Sequence, residues 1–195
     1  AFNLSYNPAE PNPVNYQDFA IANLFVVNNL MHDISQHYGF DEPSGNFQNT
    51  NYDGLGAGND PVSADAQDGS GTNNANFSTP ADGSSGRMQM YLWSGTPQKD
   101  GDVDNGVVTH EFGHGISNRL TGGPAQSGCL GNDEQMGEGW SDYFGLMFTQ
   151  NWATCDTSYG ACLPVCLPGC LSVCLSVCLP ACLPACLPLS LSLSL

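Results

Sequence analysis

His110-Glu111-Phe112-Gly113-His114 reads H-E-x-x-H. On a helix, residues four apart share a face and lie about 6 Å apart along the axis, so two imidazoles so placed can reach one zinc ion. Glu111 stands at the edge of the same cleft, where it can hold a water against the metal and take its proton. Taken alone, the five residues also describe two ordinary surface histidines on an amphipathic helix. Glu138-Gly139-Trp140-Ser141-Asp142 weighs against that reading by setting two carboxylates four apart on another helix. A catalytic zinc takes three protein ligands and a water, which makes Glu138 the natural third ligand beside His110 and His114. Asp142, one turn on, is placed to accept a hydrogen bond from the free nitrogen of a bound histidine and so fix its tautomer. The alternative is an acidic, solvated helix face, which Trp140 and its aromatic neighbours disfavour. His32 and His37 lie five apart, do not share a face, and read as structural.

These residues need helices to hold them. One helix is predicted from about Asn105 to Leu120, stopped by Gly122-Gly123-Pro124, and another from about Met136 to Trp152 with Trp140, Phe144, Met147 and Phe148 as its apolar face. A longer helix is predicted from about Tyr16 to Tyr38. Leu24, Val27, Met31, Ile34 and Tyr38 follow helical spacing, while Phe19, Ile21, Phe25 and Leu30 widen the stripe and imply burial on more than one side. Asn15 and Asp18 resemble a capping box, and Gly39 sits where a left-handed end would fall. Residues 1–14 read as a surface arm. Residues 41–86, rich in Gly, Asn, Asp and Ser, favour turns, and a structureless loop of that length calls for short strands or bound ions to organise it. Met88, Met90 and Leu92 alternate with Arg87, Gln89 and Tyr91 as in a strand with one buried face.

Nineteen acidic residues face three basic ones, Arg87, Lys99 and Arg119, for a net charge of −16. Such a surface repels phosphate backbones and anionic headgroups, which argues against nucleic-acid and membrane-surface partners. Part of the acid could serve calcium, which takes carboxylate and carbonyl oxygens. Arg119 reads as structural. Of nine cysteines, seven recur every fourth residue from Cys162 to Cys186, leaving Cys129 and Cys155 as the one pair that an oxidising compartment could join. Ala161–Leu195 repeats Cys-Leu-Pro-Ala or Cys-Leu-Ser-Val and ends in Leu-Ser. Its prolines exclude a continuous helix. TGCC, TGTC and CT repeats read in triplets return these peptides, so the tail is expected to be translated simple-sequence DNA. A Cys-rich metal-binding tail is the rival. No signal peptide is visible ahead of Ala1, and a mature or partial chain is expected.

His110 to Gly123 (HEFGHGISNRLTGG) and Met136 to Asp142 (MGEGWSD) resemble the fungalysins, secreted zinc metalloendopeptidases of the thermolysin-like group. Asn28 to Phe47, Ala66 to Phe77 and Gly86 to Trp93 resemble the part of the family that precedes the zinc helix, and the likeness covers roughly residues 12–152. The resemblance implies His110, His114 and Glu138 as zinc ligands, Glu111 as general base and Asp142 as the partner behind a ligand. It implies that Asn74-Ala75 lies on the edge strand beside which the substrate backbone aligns. It also implies an inhibitory propeptide, protein substrates, secretion, and a mostly helical second lobe that closes the cleft. Since the match fades after Trp152, that lobe is expected to be missing from these residues. No Tyr or His lies between Gly115 and Gly137, so the segment joining the two zinc helices lacks an oxyanion donor of that type.

The expectation is therefore an α+β catalytic lobe over residues 1–160, with the low-complexity tail over 161–195. Its chemistry would be extracellular, zinc-dependent peptide-bond hydrolysis. Two other readings remain: a fragment that binds zinc but does not catalyse, and an acidic extracellular binding protein organised by calcium.

Overall fold

The computed structural model describes residues 4–131, 133 and 136–149. The end of the third predicted helix, Cys155 of the Cys129–Cys155 pair, and the 161–195 repeat lie outside the described residues. Helix α1 spans Gln17–His37. It continues a 3₁₀ turn, Pro13–Tyr16, in which the Asn12 side chain accepts from the Val14 amide and proline occupies the first turn at no hydrogen-bond cost. The predicted Asn15/Asp18 capping box does not form. Asn15 donates to Glu10 instead, because the turn upstream already offers carbonyls to the first amides of α1. Nor is the whole arm on the surface, since Pro13 is buried. At the other end Gly39 adopts φ +101°. The amides of Gly39 and Phe40 bond back to Gln36 and Ser35 at 3.2 and 2.9 Å, closing a Schellman end as anticipated.

Leu24, Val27 and Met31 put the inner face of α1 into the core. The second apolar side does not follow the sequence expectation: Ile21, Phe25 and Leu30 are 52, 55 and 52% exposed, and Tyr38 is exposed as well. Across the core lies a three-stranded sheet in the order β1-β3-β2. Here β1 is Ser63–Asp65, β2 is Ala75–Ser78 and β3 is Arg87–Met90. β3 runs parallel to β1 and antiparallel to β2. Met88 and Met90 are fully buried, as the alternation predicts. The alternation then breaks: Tyr91 is buried and Leu92 only partly so, because Leu92–Trp93 (β4) turns away to pair with Lys99–Asp100 (β5). Helix α2, Asn105–Gly122, runs two residues further than predicted and closes the core with Val108, Phe112 and Ile116. Phe47 meets the rings of Phe40, Phe77 and Phe112 at centroid distances of 5.7, 5.5 and 5.9 Å.

Within residues 41–86, β1 and β2 are the expected short strands, and buried side chains organise much of the rest. Glu42 accepts from Gln48 Nε2 and from the amides of Tyr52 and Asp53 at 2.7, 2.7 and 2.9 Å. Burial opposes its charge, yet hydrogen bonds from Asp53 and these amides hold its carboxyl down at about 2. Arg119, on α2 and fully buried, binds Asp60 at 2.6 Å and donates to the carbonyls of Gly45, Pro80, Ala81 and Ser84. Its guanidinium lies 4.1 Å from the Phe47 ring centroid, a favourable cation–π position. The structural reading of Arg119 therefore holds. His32 bonds Gln48 and Asp33, as a structural histidine should, whereas His37 is exposed.

The chain enters α2 through a second buried knot. Asp104 caps the helix, accepting from the amides of Gly106 and Val107. Asp102, fully buried, accepts from the Gln67 amide, and the neighbouring Asp100 accepts from Gln67 Nε2. Burial first, and Asp100 beside it second, push the Asp102 carboxyl up to about 8.

Two outcomes follow from these knots. The folded chain holds the Asp102 proton more tightly than the unfolded chain, whose aspartate titrates near 3.8. Its contribution is present below 3.8 and lost as pH rises toward 8. Urea midpoints taken across that window in chelator should therefore fall with pH, and Asp102→Asn should flatten the slope; an unchanged slope in the variant would refute the assignment. Arg119→Leu leaves Asp60 buried without its cation and should cost about 3–5 kcal/mol. A loss under about 1 kcal/mol would mean that Asp60 finds another partner.

Candidate metal centre

Helix α3, Gly137–Thr149, packs on α2 through small residues. Gly137, Ser141 and Gly145, four apart, are its buried positions. A Cβ on Gly113 of α2 would stand 3.1 Å from Ser141 Cα and 3.0 Å from Phe144, and one on Gly145 would stand 3.1 Å from the Gly106 carbonyl. The contact face is therefore not the predicted aromatic one. Phe144 does pack against the core, but Phe148 is 41% exposed and Trp140 only partly buried. Small side chains let the backbones approach closely, and that approach sets where Glu138 arrives.

It arrives at the two histidines. His110 Nε2 lies 3.1 Å from His114 Nε2 and 3.1 Å from Glu138 Oε2, and His114 Nε2 lies 3.5 Å from the same oxygen. Ligand atoms about 2.05 Å from a tetrahedral zinc are separated by about 3.3 Å, from the bond lengths and the tetrahedral angle. The triangle matches that spacing. Two imidazole nitrogens at 3.1 Å, both facing one carboxylate oxygen, form a poor proton-sharing network and a good donor set for a cation. No other group of three metal-ligating side chains occurs among the described residues. His110 Nδ1 lies 2.9 Å from Asp142 Oδ1; a carboxylate oxygen accepts, so this contact favours the tautomer with its proton on Nδ1 and the Nε2 lone pair toward the triangle.

Glu111 is not part of the triangle. It is 5% exposed, and its Oε2 is buried with no hydrogen-bond partner among the described residues. Burial, then the charge of Glu138, push its carboxyl up to about 7. Burial also pulls the His114 imidazole below its ordinary value. The histidine side chains are 20 and 18% exposed, whereas Glu138 and Asp142 are 76 and 70% exposed, so the centre is open on the α3 side.

Asn74 and Ala75 lie outside this cluster. Ala75 opens β2, an edge strand of the sheet, and Asn74 precedes it, exposed. β2 runs against α2: the Phe77 and Phe112 rings are 6.4 Å apart, and Asn118 donates to Thr79. Sequence reasoning missed two supports. One is the glycine contact between the helices, for which the four-residue spacing of Gly137, Ser141 and Gly145 was the available signal. The other is Asn76, next on β2, which donates to the Tyr91 hydroxyl at 2.7 Å and for which no sequence signal existed.

An HExxH helix whose two imidazoles meet a carboxylate from the next helix is an arrangement that could hold a metal in the manner of a metallopeptidase. The sequence pattern of the fungalysin metallopeptidase family (M36) matches residues 1–162, and the chain belongs to that family. It is 54% identical over 145 residues to an extracellular metalloproteinase MEP of Fusarium vanettenii, covering 73% of this chain and 23% of that protein. It is 51% identical over 163 residues to an extracellular metalloproteinase MEP of Pyricularia oryzae, covering 81% and 26%. An extracellular metalloproteinase 3 of Trichophyton tonsurans is 52% identical over 146 residues, covering 73% and 23%. The chain thus spans about a quarter of the length of these relatives.

If close helix approach sets the centre, Gly113→Val should push α3 outward. The affinity for a divalent metal, read by competition with a chromophoric chelator, should fall at least about tenfold, the scale seen when a metal site loses its support. Helix content should stay as it was; unchanged affinity would show that the approach does not position Glu138.

Proposed function

We propose that this region is the zinc-binding and catalytic part of a secreted metalloendopeptidase, with His110, His114 and Glu138 as ligands, Glu111 as general base and Asp142 as the partner that orients His110. The observation that carries the reading is the triangle of Nε2, Nε2 and Oε2 with Asp142 behind one of its corners. Residues 1–160 would form part of a thermolysin-like catalytic lobe, facing a second, mostly helical lobe across the cleft. Residues 161–195 would be an unrelated low-complexity appendage. Extracellular location is supported by the names of the relatives. Protein substrates are supported by the family, an inhibitory propeptide is part of the proposal, and the net charge of −16 argues against nucleic acid and anionic membranes. No helix of the described residues is long and apolar enough to cross a membrane.

Zinc held at the triangle would supply a Lewis acid that polarises the scissile carbonyl and acidifies a water. The chain's own groups do the rest. Asp142 keeps the proton of His110 on Nδ1 and the ring in place. Glu111, buried and poised near neutrality, accepts the proton of the attacking water and hands it to the leaving amine. Asn74 and Ala75, at the open edge of the sheet, would align the substrate backbone by main-chain hydrogen bonds.

A zinc-binding but catalytically inactive polypeptide is the second reading, and bound zinc without peptidase activity would support it. Calcium within the acidic surface has less support, since Glu42 and Asp60 are occupied by protein donors.

Glu111→Gln should keep stoichiometric zinc, whereas His110→Ala, His114→Ala and Glu138→Ala should each release it. In a chain completed with the rest of a fungalysin, Glu111→Gln should lower kcat by about 10²–10⁴, because the proton transfer is made only in the transition state. Full zinc occupancy in Glu138→Ala removes Glu138 from the ligands, and retained kcat in Glu111→Gln removes the base.

A further inference from the structure

Residues 72–75 change partner and direction in a very short space. Thr72 bridges Leu92 in parallel, whereas Ala75 begins β2 and pairs antiparallel with Met90 of β3. Asn73 makes the change. Its φ is +58°, a left-handed conformation that asparagine tolerates better than most side chains. Its amide donates to the Leu92 carbonyl at 3.0 Å. Its Oδ1 accepts from the Ser94 amide at 2.7 Å and from the Ser94 hydroxyl at 2.8 Å. Beyond Ala75, Asn76 donates to the Tyr91 hydroxyl at 2.7 Å, and Gly71 lies so near the same ring that a Cβ there would stand 2.8 Å from it. Asn74 and Ala75 are thus pinned on both sides to the 91–94 stretch.

Asn73, Asn74 and Ser94 are exposed, while Ala75 is the first residue of this stretch to enter the core. Ahead of Ala75, the bonds to Leu92 and Ser94 set where the main chain points. An edge that aligns a peptide by main-chain hydrogen bonds must hold its donors and acceptors in place before the peptide arrives, or lose affinity to the cost of ordering them. We propose that Asn73 is a positioning residue for peptide substrates: its left-handed backbone and its bonds to Ser94 fix the Asn74–Ala75 edge in the register that an extended peptide reads. The inference rests on the catalytic reading, in which that edge aligns the substrate backbone. Asn73 acts through Asn74 and Ala75 and takes no part in the chemistry at the triangle.

Binding measured apart from chemistry tests it. The chain completed with the rest of a fungalysin, carrying Glu111→Gln and loaded with zinc, would be titrated with two probes. Carbamidomethylated insulin B chain, an unfolded peptide, is long enough to reach the edge, whereas acetohydroxamate binds the metal centre alone. Asn73→Gly keeps the left-handed backbone and removes both bonds to Ser94. It should weaken binding of the peptide at least about tenfold and leave acetohydroxamate unchanged. Asn73→Asp keeps an accepting oxygen and should bind the peptide within about twofold of the parent. Ser94→Ala removes the hydroxyl bond alone, should weaken the peptide about threefold, and carries the test if Asn73→Gly fails to fold. With Glu111 restored, the Asn73→Gly loss should appear in KM rather than in kcat. The proposal is overturned if Asn73→Gly binds the peptide as the parent does, if it weakens both probes alike, if Asn73→Asp behaves like Asn73→Gly, or if the loss falls on kcat alone. A parent that binds acetohydroxamate but not the peptide refutes the edge and leaves the metal centre standing; one that binds neither refutes the catalytic reading as well.

Discussion

The backbones of α2 and α3 meet through Gly113, Ser141 and Gly145, and the rest of the centre depends on that closeness. A Cβ added at Gly113 would already stand 3.1 Å from Ser141 Cα. Larger side chains would hold the helices apart by an ångström or more, while a zinc ligand must lie within about 0.2 Å of its place. The same contact aligns two corners at once. Glu138 and Asp142, one turn apart on α3, reach the Nε2 and Nδ1 sides of the single His110 ring. A shift of α3 along its axis would therefore spoil the carboxylate that completes the triangle and the one that sets the tautomer together.

Helix α2 must itself be fixed, and buried polar side chains fix it at both ends. Arg119 near its C-terminal end draws in Asp60 and four carbonyls from separate stretches of the 41–86 segment. Before its N-terminal end, Asp102 and Asp100 share Gln67, and Asn23 of α1 donates to the Asp102 carbonyl at 2.7 Å. A buried ion pair adds little net stability over an apolar one, but removing one partner is expensive, so such pairs enforce a single arrangement. A fold with long turn-rich stretches gains more from that than from extra apolar area, since few other contacts would hold loops against α2.

The grouping of the candidate site residues was legible in the sequence because it rests on local spacing. Four-residue spacing on each of two helices fixes which side chains share a face, and His110, His114, Glu138 and Asp142 meet accordingly. The helices were legible for the same reason, and their ends were read to within about two residues at Gly39 and Gly122. Long-range matters were not. No periodicity tells that Gln67 bonds Asp100, thirty-three residues on, or that Tyr91 turns inward to meet Asn76. The apolar width of α1 was read as burial on two sides, and one side stands open. Hydrophobicity shows that a face prefers cover but says nothing of whether the covering residues belong to the same stretch of chain. The face of α3 was misread for a related reason: large apolar residues announce themselves, while close contact is made by residues with almost no side chain.

Electrostatics ties the centre back to the fold. Glu111, Glu138 and Asp142 gather three carboxylates around two imidazoles, and none of the three basic residues of the chain pairs with them among the described residues. The cost shows in Glu111, whose carboxyl is pushed up to about 7 by burial and by the charge of Glu138. A divalent cation at the triangle reverses the sign of that local field. It would favour ionised Glu111 and would cross-link α3 to α2 through three bonds. Free energy released on binding such an ion is then free energy of holding the two helices together. α3 gains most, because its outer residues Leu146 and Phe148 are 59 and 41% exposed. Metal affinity and the docking of α3 are thus two readings of one equilibrium: whatever loosens the glycine contact weakens the metal, and whatever removes the metal loosens the helix that brings Glu138.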